Sequence, residues 1–200
     1  MLNLNKWKYQ AGAAVLAAAF AVMPAYAADP VLSIVATPSS GVVGSTIDLD
    51  IVVSGVSDLY AYNFTLLFDP AYLQASAATE GAFLGADGGS TDFDVVDLSG
   101  TPGQVFYVYG VKFGAVPGVS GGGSLAHLRF DVIGAGTSTL SFADVVLVDS
   151  SNADITPQLS TQTLITSAVP EPQTYLMLGI GLVGLAALRR RSAQGLTSPC

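Results

Sequence analysis

Three scarcities set the terms on which this 200-residue chain is read. Cysteine is almost absent: the single thiol is Cys200, the last residue. No intramolecular disulfide can form, no nucleophilic or zinc-binding thiol lies in the body of the chain, and the fold has to rest on packing alone. Histidine is equally scarce, with His127 the sole imidazole. A Ser-His-Asp triad or an ordinary zinc site would have to pass through that one residue. Basic charge is missing from the middle. Residues 28–168 hold 14 acidic side chains and only Lys112 and Arg129 as cations, a net charge of −12. Such a field repels phosphate backbones, which excludes nucleic acid as a partner.

What the chain does have begins at its two ends. Lys6 and Lys8 precede the apolar run Ala11–Val22, Pro24 breaks it, and Ala25-Tyr26-Ala27 supplies a small-x-small cleavage site. Residues 1–27 therefore read as a secretory signal peptide, with Ala25 and Ala27 at the cleavage point. At the other end Pro170-Glu171-Pro172 is followed by the apolar run Tyr175–Leu188 and then by Arg189, Arg190 and Arg191. Residues 169–172 read as a linker, 173–191 as a membrane helix whose arginines stay in the cytoplasm, and 192–200 as a tail.

Between these segments, residues 28–168 show no helical periodicity beyond two turns. Short β-branched and aromatic runs alternate with Gly, Pro, Ser and Asp clusters, the pattern of an all-β sandwich. Runs are placed at Val31–Ala36, Thr46–Val53, Tyr60–Phe68, Phe93–Val96, Val105–Phe113, Leu125–Ile133, Thr139–Val148 and Leu159–Thr166. In Tyr60–Phe68 the bulky residues Tyr60, Tyr62, Phe64, Leu66 and Phe68 share one face and Ala61, Asn63, Thr65 and Leu67 the other. In Leu125–Ile133, Leu128, Phe130 and Val132 face inward, so His127, Arg129 and Asp131 face out. Gly81–Gly103, apart from its short apolar run, and Gly121-Gly122-Gly123 read as loops.

The chemistry-bearing residues are few. His127 sits mid-strand beside the outward charges Arg129 and Asp131, the place of a surface histidine and not of a catalytic one. Asp92, Asp94 and Asp97 cluster near a Gly-rich loop, so calcium is the one cofactor left open, against a simple solvated loop. No dedicated metal site is identified, and no enzyme is expected. Tyr107 and Tyr109 form a sugar-stacking strip if they face outward and core if they face inward.

The C-terminal Pro-Glu-Pro, apolar run and arginine cluster resemble the PEP-CTERM sorting signal. The resemblance implies recognition by an exosortase, export through the inner membrane, and delivery to the cell surface or extracellular matrix. Several phrases of the middle resemble cohesin modules: Gly44–Leu49, the strand Tyr62–Phe68 with its exit Asp69-Pro70-Ala71-Tyr72-Leu73, and Gly123–Val132, with Leu147-Val148-Asp149 and Asp154-Ile155 fitting the loop and strand that follow. The resemblance spans Val31 to Thr166 and implies a jelly-roll β-sandwich of about nine strands. It further implies a dockerin-like partner on the flat sheet of the family's strands 3, 5, 6 and 8. Asn63 and Thr65 fall on the match to the family's strand 3, Tyr107 and Tyr109 on the match to strand 6, and His127, Arg129 and Asp131 on the match to strand 8. Together they are the expected partner-binding residues. A polysaccharide ligand and a purely structural matrix role are the competing readings.

Overall fold

A computed structural model describes residues 29–169 and 172–194. The signal-peptide reading, including Ala25 and Ala27, lies outside the described residues, as do Pro170, Glu171 and Cys200. The strands are β1 (Val31–Thr37), β2 (Ser40–Val42), β3 (Thr46–Leu67), β4 (Leu73–Glu80), β5 (Thr91–Asp97), β6 (Gln104–Lys112), β7 (Val119–Val132), β8 (Gly136–Asp149), β9 (Asp154–Ile155), β10 (Gln158–Leu159) and β11 (Gln162–Ser167). Helix α1 (Pro172–Gln194) follows them.

Strand β3 organises the molecule. Its N-terminal half pairs with β1 on one side and β7 on the other, and its C-terminal half with β6 and β8. One continuous 22-residue strand thus belongs to both layers of the sandwich. The first layer runs β10-β1-β3-β7-β4 and the second β5-β6-β3-β8-β9, while the start of β8 pairs with β11, which carries β2. The crossing takes place at Ser54–Asp58, where the register with β7 shifts twice and both Gly55 and Asp58 take positive φ. The two runs expected as separate strands are therefore the two halves of one strand, joined by a bulged bend.

The alternation read from the sequence sets the core. Ile47, Leu49 and Ile51 from one layer, and Phe64 and Leu66 from the other, are fully buried with Leu128, Phe130 and Leu164. Phe68 meets Phe130 edge-on at 5.0 Å and Phe64 meets Phe142 edge-on at 5.6 Å, the favoured aromatic geometry. Tyr62 is buried with them, and its hydroxyl donates to the Leu125 carbonyl at 2.6 Å. Burial pushes that hydroxyl far above the ordinary tyrosine range.

Two further elements differ from expectation. Gly121–Gly123 lies inside β7 and not in a loop. A side chain at Gly123 would press on Phe83, and one at Gly122 on the β3 backbone, so these glycines let the strands approach closely. Leu73–Glu80, rich in alanine, is a strand that no apolar run announced.

The apolar side chains of α1 from Leu176 to Leu185 are more than half exposed. Among the described residues no helix is long and apolar enough to cross a membrane. The run Tyr175–Leu188 covers about 21 Å at 1.5 Å per residue, against a hydrocarbon core of about 30 Å. The expected spanning helix at 173–191 is therefore not met by α1.

Candidate docking face

The outer face of the second layer is built by cross-strand register. Asp94, Tyr109, Asn63 and Val146 stand side by side on β5, β6, β3 and β8. Asp92, Val111, Ala61 and Val148 form the next row, which Asp154 of β9 extends. Directly paired residues in antiparallel strands share a face. The rows thus place carboxylates at both sheet edges and apolar groups in the centre. A shallow groove of about 270 Å³ lies over them, lined by Ala61, Asn63, Tyr107, Tyr109, Val111, Val146 and Val148.

Two bulges shape the groove. Phe64 pairs with Val108 but Leu66 with Val105, so Thr65 is opposed by both Phe106 and Tyr107. Tyr107 consequently takes φ 52°, unusual for a residue with a side chain. On the other flank Asn63 pairs with Val146 but Thr65 with Ala143, and Asp144 takes φ 51°. Each bulge is tied down by a β3 side chain. Asn63 Nδ2 donates to the Asp144 carbonyl at 2.8 Å, and Thr65 Oγ1 accepts from the Tyr107 amide at 3.4 Å.

Thr65 is 1% exposed, so it cannot contact a partner as expected; its hydroxyl holds the β6 bulge instead. Asn63 stays half-buried in the groove. The open question over the tyrosines resolves outward: Tyr107 is exposed and Tyr109 half-buried, with ring centroids 5.9 Å apart, and Phe106 lies 6.0 Å from Tyr107. Removal from water, with Asp92 and Asp94 nearby, raises the Tyr109 hydroxyl above its ordinary value.

His127, Arg129 and Asp131 do point outward, but from the other layer. They lie on β7, between β3 and β4, opposite Asp50, Asp48 and Thr46. Alternation showed which way they face; it carried no information on which layer holds the strand. Arg129 Nε donates to Asp48 Oδ1 at 2.7 Å, which holds the guanidinium firmly charged. His127 Nδ1 meets Asp50, and Ser124 Oγ lies 3.5 Å from Nε2.

The aspartates considered for calcium do not converge. Asp92 and Asp94 face solvent, while Asp97 Oδ1 accepts from the Ser99 and Gly100 amides and Oδ2 from the Thr101 hydroxyl. Those bonds lower the carboxyl below the usual range. Among the described residues no group of three metal-type side chains is placed to hold an ion.

Sequence reasoning missed Lys112, which is 1% exposed at the end of β6. Its ammonium donates to both oxygens of Asp87 at 2.7 Å, pinning the loop between β4 and β5 and lowering the Asp87 carboxyl. A lone lysine in an apolar strand was the available signal.

The sequence profile of the cohesin domain matches residues 32–166, more than half of the chain. The chain belongs to the cohesin family. The profile of the PEP-CTERM protein-sorting motif matches residues 168–191. No curated protein matches. Among solved structures, the cohesin is similar to the second type II cohesin module of the Acetivibrio cellulolyticus adaptor scaffoldin. That match has 14% identity and TM-score 0.61, over 72% of this chain and 94% of that one. A non-cellulosomal cohesin from the archaeon Archaeoglobus fulgidus matches at 16% identity and TM-score 0.54, over 75% and 98%. The sixth cohesin of Acetivibrio cellulolyticus scaffoldin B, solved in complex with a dockerin, matches at 17% and 0.56, over 70% and 100%. The cohesin fold is thus complete in this chain, and family membership makes it a non-catalytic binding module with a sorting motif attached.

Proposed function

We propose that this cohesin is exported, sorted by an exosortase, and docks a dockerin-like protein at the cell surface or in the extracellular matrix through the outer face of β5-β6-β3-β8. The observation that supports it is the groove: an apolar centre framed by Tyr109, in regular register with Asn63, and by Tyr107, exposed on a bulge. Bulges that re-aim side chains recur at functional sites. The aromatic Tyr109 and Tyr107, with Val146 and Val148, are the contacts that exclude water, and Asn63 holds the groove floor. During sorting the exposed apolar side chains of α1 keep the chain at the bilayer, since a helix apolar on every side needs an apolar environment.

Capture of proteins from a culture of the source organism by the full chain in detergent tests the docking arm. Loss of capture in Tyr109→Ala supports the face; capture indifferent to Tyr109→Ala and Val148→Asp refutes it. For the sorting arm, Glu171→Ala should leave an unprocessed form detectable by mass.

A second reading has one observation in its favour. Phe106, Tyr107 and Tyr109 form a row with spacings of 6.0 and 5.9 Å, suited to stacking on sugar rings. A glycan array tests it, and absence of retention on every polysaccharide removes it.

A further inference from the structure

The domain has two cations, and the fold uses both. Lys112 lies inside the second layer against Asp87, and Arg129 lies on the first layer against Asp48. Among the described residues, the outer face of β5-β6-β3-β8 therefore presents no positive side chain. Carboxylates stand at opposite edges, Asp92 and Asp94 on β5 and Asp154 on β9, and are exposed, as is Asp144 on the β8 bulge. Between them lie Ala61, Val111 and Val148. Four interstrand spacings of about 4.8 Å put these edges roughly 19 Å apart.

We propose that the partner of this face is a basic protein surface, an apolar patch framed by lysine or arginine side chains that sit over Asp92, Asp94 and Asp154. This rests on the docking reading above. Charge complementarity selects the occupant. A second copy of the chain brings another domain of net charge −12, and a neutral polysaccharide leaves the edge carboxylates with nothing to meet. Edge charges of this kind act chiefly on encounter: they steer an oppositely charged partner in and add little to its residence time.

The test begins with proteins retained from the source culture by the full chain. Each is identified, purified and measured against wild type, Val148→Asp, and the triple variant Asp92→Asn/Asp94→Asn/Asp154→Asn. The expected partner has lysine or arginine around its apolar contact. Its association rate falls about tenfold in the triple variant, and about tenfold for wild type between low and moderate salt, with dissociation nearly unchanged. If Val148→Asp abolishes binding while the triple variant and salt change nothing, the docking face stands and the basic-partner inference falls. If Val148→Asp binds as wild type does, or no protein is retained, the docking reading falls and takes this inference with it. Retention of a polysaccharide alone, or of further copies of the chain alone, overturns it as well.

Discussion

The outer faces of the two layers spend their polar groups differently. On the face of β1, β3, β7 and β4, charges answer one another: Arg129 with Asp48, His127 with Asp50. On the face of β5, β6, β3 and β8, the polar side chains near the centre serve the backbone, Asn63 and Thr65 each securing a bulge, while the carboxylates at the edges have no cation opposite. The first face pairs Asp48 and Asp50 within itself and leaves Asp131 opposite Thr46 and Gln74; the second is shaped, apolar in its middle and has no cation for its edge carboxylates. A binding module needs one surface that does not complete itself, and the difference supports the proposal that the second fills that role.

The largest effect should come from exchanging damage between the faces. Tyr109→Ala removes a central aromatic contact and should weaken docking about thirtyfold or more, as for a buried interface anchor. The pair His127→Ala/Arg129→Ala should change docking less than about twofold and leave the denaturation midpoint unmoved, since exposed ion pairs often contribute nothing measurable. Titration of the purified partner against each variant checks this, and the reverse ranking would exchange the roles of the faces.

Stability should separate them next. The second layer rests on Lys112, fully enclosed at the end of β6. Lys112→Ala empties that space and should cost about 3 kcal/mol in denaturant unfolding. Lys112→Met keeps the stem and removes the charge. It should cost under about 1 kcal/mol, because Asp87 is half exposed and can return to water. Equal losses in the two variants would show that charge, not packing, holds the loop.

The sequence carried some levels of this organisation and not others. The core strands were legible because their burial is periodic: Ile47, Leu49 and Ile51, then Tyr62, Phe64 and Leu66, each follow the two-residue repeat of a pleated sheet. β4 was not, since Ala75, Ala77 and Ala78 give little apolar contrast. The outward aim of His127 and Arg129 could be read, but not the layer that holds them, because alternation fixes a face only relative to a strand's own core side. Thr65 failed for a different reason. Two bulges interrupt the register beside it, and bulges depend on pairing between segments about forty and eighty residues apart. The Asp-Val-Ala rows that make the groove were invisible for the same reason, being products of register alone.

Acid should weaken the end of the molecule where the chain crosses between layers. Asp58 accepts from the Gly118 amide and from Ser150, and these bonds lower its carboxyl below the ordinary value. A carboxyl depressed in the folded state adds stability that is present above its unfolded value, near pH 4, and is lost as pH falls through the folded value. The same sign holds for Asp87 and Asp97. Urea midpoints should therefore drop below about pH 4, and the drop should be shallower in Asp58→Asn. Identical slopes in the two proteins would mean that the bonds to Asp58 contribute nothing to the folded state.

The smallest expected change is the most discriminating for the groove. Tyr107 holds a left-handed backbone that costs a non-glycine residue about 1–2 kcal/mol. The residue is 39% exposed, and its ring lies near those of Phe106 and Tyr109 at distances worth about 1 kcal/mol. Tyr107→Gly relieves the first term and forfeits the second, so stability should stay within about 1 kcal/mol of wild type, while docking falls. Such a result would mean that the strain is borne for the sake of a ring that works outside the domain. A loss of about 3 kcal/mol or more, in the range of core truncations, would instead make Tyr107 part of the domain's own packing. The face would then lose the feature that most sets it apart from its counterpart across the sandwich.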